Sequence, residues 1–156
     1  MSETTSGRPL RARRTVLAVP GSSDRFIAKS RTQPVDALFL DLEDAVAPPA
    51  KEEARSRIVE ALRADEGWLA PTVTYRVNDW STPWTTRDVL EVVIPAGDRI
   101  NAMVLPKVTS AAQVVALDLL VTQAEQEAGW EVGRIGFELQ IEEARDLPAL
   151  EAAAAQ

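Results

Sequence analysis

The stretch Thr15-Val16-Leu17-Ala18-Val19-Pro20-Gly21-Ser22-Ser23 decides the fold. Its first part is a continuous β-branched and aliphatic run without polar alternation, the pattern of a strand buried on both faces of a parallel sheet. The residues just after that strand choose among parallel folds. A dinucleotide-binding fold would place its G-x-G-x-x-G turn here, and Pro20-Gly21-Ser22-Ser23 does not supply it, which favours a (β/α) barrel over a doubly wound open sheet.

Working outward, four more such runs occur at residues 36–41, 72–77, 101–105 and 134–141. Between them the apolar residues change period. Ala50, Ala54, Ile58, Ala61 and Leu62 fall at helical intervals in a predicted helix over 49–65 that ends before a turn at Gly67, and Ala111, Val114, Val115 and Leu119 fall at helical intervals in another. Thr82 before Pro83 predicts an N-cap, Ser110 with Gln113 a capping box, and Gly129 a helix stop. The alternation of strand and helix predicts an α/β fold, an incomplete TIM (β/α)8 barrel with about five βα units in the strand order 1-2-3-4-5. Residues 1–12 are predicted as a flexible N-terminal tail and residues 13–156 as the partial barrel domain. A complete barrel takes about 250 residues, so either the sheet is open or the chain is the N-terminal portion of a longer protein.

Composition excludes several chemistries. The chain has 156 residues with 24 acidic against 17 basic side chains, and it has no histidine and no cysteine. A Ser-His-Asp triad, a thiolate nucleophile, a disulfide framework and the usual zinc sites are therefore impossible, and a general acid or base must be Asp, Glu, Lys or Tyr. Any metal would be held by oxygen, which favours Mg2+ or Mn2+. No apolar run approaches the length of a spanning helix, and the first ten residues lack the apolar centre of a signal peptide, so no membrane association is expected and the location is expected to be cytoplasmic. The acidic body argues against nucleic acid as a partner. Arg8, Arg11, Arg13 and Arg14 form a basic N-terminus that suits a flexible tail, a positive rim for an anionic ligand, or a weak transit signal.

The chemistry gathers where the strands end. The first run ends in Pro20-Gly21-Ser22, the second in Asp41-Leu42-Glu43-Asp44, the third in Arg76-Val77-Asn78, the fourth in Pro106-Lys107 and the fifth in Glu142-Glu143. In parallel α/β proteins that edge carries the active site. Each group also has a plain structural reading, as a strand-end salt bridge or a helix-start acid. Three carboxylates in four residues call for a cation or an arginine nearby. Arg76 either pairs with that acidic cluster or clamps a ligand carboxylate. Lys107 is either a phosphate or Schiff-base lysine or a solvated rim charge. One of Glu142 and Glu143 is expected to point inward while the other begins the next helix. Trp80 and Trp84 either roof a pocket or pack beneath a loop.

The segments Leu17-Ala18-Val19-Pro20-Gly21, Leu40-Asp41-Leu42-Glu43-Asp44-Ala45-Val46, Arg76-Val77-Asn78, Val104-Leu105-Pro106-Lys107-Val108 and Gln140-Ile141-Glu142-Glu143-Ala144 resemble, in order and spacing, the citrate lyase beta-subunit-like proteins. That family also contains malyl-CoA and citramalyl-CoA lyases, within the larger HpcH/HpaI aldolase group. The resemblance covers about residues 13–150, and Leu40 to Val46 is its most specific part. It implies a Mg2+-dependent carbon–carbon lyase of 3-hydroxy acyl-CoA thioesters of the citryl-, malyl- or citramalyl-CoA type, releasing acetyl-CoA or another acyl-CoA and an oxo acid, on a barrel that commonly forms trimers. By the same resemblance Glu142 would bind the metal, and Arg76 the substrate carboxylate or carbonyl oxygen. Glu43 and Asp44 would sit beside the metal water shell. Arg14, Pro20, Gly21, Ser22 and Lys29 would line the path of CoA, and Asn78 and Lys107 would support the pocket. Two departures stand out. The family's second metal-binding Asp belongs to a unit after the fifth, and position 143 carries Glu where a small or hydroxyl residue is commoner. The alternatives are a truncated, non-catalytic CoA-binding or assembly subunit, and a CoA-independent pyruvate aldolase, against which the Leu40–Val46 and Arg76–Asn78 segments argue.

Overall fold

The computed structural model describes residues 12–149. All five predicted strands form, as β1 (Val16–Pro20), β2 (Ala37–Asp41), β3 (Thr72–Arg76), β4 (Ala102–Leu105) and β5 (Gly136–Leu139). They make one sheet in the order β1-β2-β3-β4-β5, with every pair parallel. Between them run α1 (Asp24–Ser30), α2 (Lys51–Arg63), α3 (Thr85–Ala96) and α4 (Ala111–Ala128), with short 3-10 helices at Pro48–Ala50 and Gly97–Arg99 and a third after β5 at Ala144–Ala149. The fold is the α/β fold expected, with parallel strands alternating with helices. Residues 1–11 of the expected tail lie outside the described residues. Among the described residues no helix is long and apolar enough to cross a membrane.

The core lies between sheet and helices. Leu38, Leu40, Tyr75 and Met103 on the strands meet Ile58 of α2, Val89, Val92 and Val93 of α3 and Leu117 of α4, all buried. Strand β2 is apolar at every position before Asp41 and pairs on both sides, with β1 and with β3, so its backbone groups are satisfied within the sheet.

Three local expectations are corrected. Helix α3 starts at Thr85, behind Trp84, and Thr82 does not cap it; the Thr82 and Thr85 hydroxyls both donate to the Asp79 carbonyl, at 2.8 and 2.6 Å, which tightens the preceding turn instead. Ser110 is the N-cap of α4, but its side chain makes no cap bond, and Gln113 reaches one residue too far back, accepting from the Thr109 amide at 2.8 Å. The buried stripe of α4 is Val114, Leu117, Val121 and Ala124, while Val115 and Leu119 are 40% and 60% exposed. With apolar residues around most of that helix, period alone does not say which face meets the core. Gly129 does end α4, in the left-handed conformation with φ 74°.

Strand register aligns the site. Pro20 pairs with Asp41, Asp41 with Arg76, and Arg76 with Val104. The ladder continues past the strands, with Gly21 N–H donating to Asp41, Leu42 N–H to Arg76, Val77 N–H to Val104 and Gln140 N–H to Leu105. Residues at the ends of five strands are thereby fixed along one edge.

Candidate active site

Asp41, the last residue of β2, is the hub of that edge. Its Oδ1 and Oδ2 accept the amides of Glu43 and Ala45 at 2.9 and 3.1 Å, folding the chain into a tight turn. The same two oxygens accept Nε and Nη2 of Arg76 at 2.8 and 2.7 Å, a bidentate pair whose geometry suits the planar guanidinium. Burial opposes the charge on Asp41, yet the Arg76 hydrogen bonds and the two amides hold its pKa below the ordinary carboxylate value. Arg76 therefore takes the first of the two roles open to it in the sequence, pairing with the acidic cluster. Its Nη1 remains, 3.0 Å from Glu43 Oε2 and 3.4 Å from Gln140 Oε1, and the guanidinium lies over the Phe39 ring.

Glu43 is 4% exposed. Its Oε1 accepts Lys107 Nζ at 2.6 Å, while the buried Oε2 accepts no hydrogen bond, since Arg76 Nη1 is close but badly aligned. Burial pushes the Glu43 carboxyl above its usual range, against the pull of Lys107 and Arg76. Lys107 reaches it from the loop after β4 and adopts a left-handed backbone at φ 51°, the only non-glycine among the described residues to do so. Its ammonium also lies 3.6 Å from Asp44 and 3.9 Å from Asp79. The hydrogen bond it donates to Glu43 raises the Lys107 pKa. Arg76 and Lys107 thus hold one buried carboxylate between two cations.

The remaining predicted residues divide. Asn78 is buried directly behind the cluster, with Nδ2 donating to the Leu42 carbonyl at 3.0 Å. Asp44 is exposed beside the cluster, its Oδ1 3.6 Å from Lys107 Nζ. Pro20, Gly21 and Ser22 share the same edge at the end of β1, where the Ser22 carbonyl accepts Arg57 Nη1 at 2.5 Å. Lys29 lines a separate, largely apolar cavity of about 310 Å³ between β1 and α1, with Leu17, Val19, Pro20 and Phe26. Arg14 is not brought to this edge: it precedes β1 and pairs with Asp36, which precedes β2, at the opposite end of the strands. Glu142 and Glu143 come after β5 and are both exposed; the Glu143 carbonyl accepts the Asp146 amide where the last 3-10 turn begins. Trp80 packs against the core, its Nε1 donating to the Gln113 carbonyl at 3.2 Å.

Two participants escaped the sequence reading, Lys51 and Asp88, while Asp41 was read there only as one member of the acidic cluster and not as its anchor. Asp88 accepts from the Asn78 amide and Nδ2 at 2.9 and 2.6 Å and from Arg55 Nη1 at 3.1 Å. A signal for Lys51 was present. A cation opening a helix is opposed by the helix dipole, so a lysine directly after Pro48-Pro49-Ala50 asks for another reason to be there.

As a magnesium site the donors are incomplete. Among the described residues no group of three or more acidic side chains gathers that could hold a metal, and the carboxylates that do cluster are already engaged by Arg76 and Lys107. Glu142 offers one exposed carboxylate, part of the octahedron Mg2+ demands.

Comparison with known proteins agrees with this architecture. The model of the HpcH/HpaI aldolase/citrate lyase family matches residues 14–155. An L-malyl-CoA/beta-methylmalyl-CoA lyase of Cereibacter sphaeroides is 38% identical over 147 residues, covering 94% of this chain and 46% of that protein. A citrate lyase subunit beta of Leuconostoc mesenteroides is 36% identical over 134 residues, covering 86% of this chain and 43% of that protein. The chain thus spans about half the length of these relatives. Among solved structures, the citrate lyase beta subunit of M. tuberculosis complexed with oxaloacetate and magnesium superposes with TM-score 0.66 at 26% identity, over 90% of this chain and 52% of that one. Malate synthase of Haloferax volcanii, as its lead(II) complex, superposes with TM-score 0.76 at 21% identity, over 87% of this chain and 43% of that one, and shows the shared fold.

Proposed function

Since the chain belongs to the HpcH/HpaI aldolase/citrate lyase family, we propose that it carries substrate-handling residues of a Mg2+-dependent carbon–carbon lyase acting on 3-hydroxy acyl-CoA thioesters of the malyl-, citramalyl- or citryl-CoA type. The observation that supports this best is the buried Glu43 carboxylate held between Arg76 and Lys107 at the C-terminal edge of the sheet.

Cleavage requires loss of the hydroxyl proton as the C2–C3 bond breaks, with the bonding pair passing to the departing thioester as an enolate. Glu43 Oε2, buried and without a hydrogen bond, is the atom suited to take that proton, and the upward pull of burial on its pKa favours the transfer. Asp41 holds Nε and Nη2 of Arg76, while Nη1 makes only a long 3.4 Å bond to Gln140 and lies near Glu43, so the guanidinium is held in place with Nη1 to offer a developing oxyanion. Lys107 fixes the other oxygen of Glu43. A bound Mg2+ would supply Lewis-acid stabilisation of the oxyanion; Glu142 is the proposed ligand, joined by donors other than those described. Pro20, Gly21, Ser22 and Lys29 remain proposed contacts for CoA, and trimeric assembly remains a proposal with them.

Calorimetric titration with Mg2+ and malyl-CoA, with an assay for the oxo acid and acetyl-CoA released together, tests the reading. We expect Mg2+ alone to bind weakly and each ligand to strengthen the other. Glu142→Gln should abolish that coupling and any turnover, while Glu143→Gln should leave most of both. A larger loss in Glu143→Gln, or full coupling in Glu142→Gln, identifies the wrong carboxylate. Absence of thioester binding to the unsubstituted chain overturns the function itself.

A further inference from the structure

Behind the carboxylate cluster lies a polar layer that the proposed chemistry leaves unused. Lys51, the first residue of α2, is 5% exposed. Its Nζ donates to the Leu42 carbonyl at 2.7 Å, the Glu43 carbonyl at 2.7 Å and Asn78 Oδ1 at 2.6 Å, which uses all three ammonium protons. None of these acceptors is a carboxylate, so ion pairing does not account for the burial of this charge. Burial pushes the Lys51 pKa down, against the fields of Asp88, Asp41, Glu43 and Asp44. Asn78 is clamped in turn by Asp88, and Asp88 by Arg55, so the acceptor that steers Lys51 has no freedom to rotate.

The two carbonyls Lys51 grips flank the residue whose carboxylate matters most. Asp41 holds the amide side of this turn, through the N–H groups of Glu43 and Ala45, and Lys51 holds its carbonyl side. With both sides fixed, the main chain at residue 43 is held where the Glu43 carboxylate reaches both Arg76 and Lys107.

We propose that Lys51 is a positioning residue: its ammonium fixes the main chain at Leu42 and Glu43 and thereby holds the Glu43 carboxylate in contact with Lys107 and Arg76. It touches no substrate. Its importance for turnover rests on the lyase reading above; the positioning itself does not, and it is measured without any substrate.

The sequence makes the test clean, because its lysines are Lys29, Lys51 and Lys107 and it has no cysteine. Trace acetylation of the folded chain with acetic anhydride, read by peptide mass spectrometry, ranks the three amines by their exposure to the reagent together with the availability of their neutral form, and burial shields Lys51. In the unsubstituted protein we expect Lys107 to react several-fold more slowly than exposed Lys29, because its bond to Glu43 keeps it protonated, and Lys51 to react slowest. In Lys51→Cys the Lys107 rate should rise several-fold towards that of Lys29, with the far-ultraviolet circular dichroism unchanged. Alkylating that cysteine with bromoethylamine in denaturant and refolding restores an ammonium of nearly the same length, and Lys107 should become slow again. A residue that merely stabilised the fold would lower the melting temperature without moving Lys107 relative to Lys29, and that result overturns the proposal. If Lys51→Cys does not refold, Glu43→Gln decides. Because Lys51 is held by the main-chain carbonyl of residue 43, Lys107 should become fast there while Lys51 stays slow; Lys51 becoming as fast as Lys29 refutes the assignment.

Discussion

Asp41 makes the case for charge that serves geometry, since both its carboxylate oxygens are directed at Arg76 and at the turn it folds. Its folded-state pKa lies below the unfolded value, so its contribution is complete above the unfolded carboxylate range and fades as pH falls through the folded value. Glu43 has the opposite sign: burial raises its folded pKa, so its contribution is present at acid pH and is lost as pH rises through that value. We expect Asp41→Asn, which keeps one acceptor oxygen, to destabilise the chain at neutral pH by the low end of the roughly 3–5 kcal/mol typical of breaking a buried pair. Melting curves over a pH series should show the gap between variant and parent narrowing on acidification. A gap that stays constant would mean that Asp41 acts through shape and not charge.

At the level of elements, the end of β1 shows how little room the shared edge has. A Cβ on Gly21 would lie 2.7 Å from the Asp41 carbonyl oxygen and 2.7 Å from Ile58 Cδ1. The carbonyl is the one the Gly21 amide donates to, so the strand cannot move away without losing that bond. Gly21→Ala should therefore cost about 1–3 kcal/mol, as overpacking does, and weaken the first two strands together; urea denaturation of the variant measures it, and an unchanged midpoint would mean that Ile58 and the edge yield freely. The strands themselves were legible because apolar runs bounded by Pro, Gly, Asp and Arg have one reading in a parallel sheet, and the converging edge came from where the charged residues stood. The buried face of α4 was not legible, since Val115 and Leu119 are as apolar as Val114 and Leu117 and only packing separates them. Nor was the pairing within the edge: that Arg76 chooses Asp41 for its fork and leaves Glu43 to Lys107 depends on register and on the left-handed turn at Lys107, neither of which a linear pattern encodes.

For the molecule as a whole, the described sheet has two free sides. β1 pairs only with β2, β5 only with β4, and exposed apolar side chains flank both, with Val16 and Phe26 at one side and Val115, Leu119 and Val132 at the other. Such edges and patches invite association. Sedimentation of the isolated chain should show concentration-dependent oligomers, and a monomer at all concentrations with one cooperative melt would show that the edges are covered. The strand order has a consequence for the chain as it is made. Each strand pairs with the one synthesised just before it, so the sheet can grow in step with translation, without waiting for distant partners. The Asp41–Arg76 contact can form once the third strand emerges, while Glu43 must wait for the fourth to receive Lys107. A ribosome pausing between the two would hold a nascent chain in which the arginine is already fixed and the glutamate still lacks its second cation.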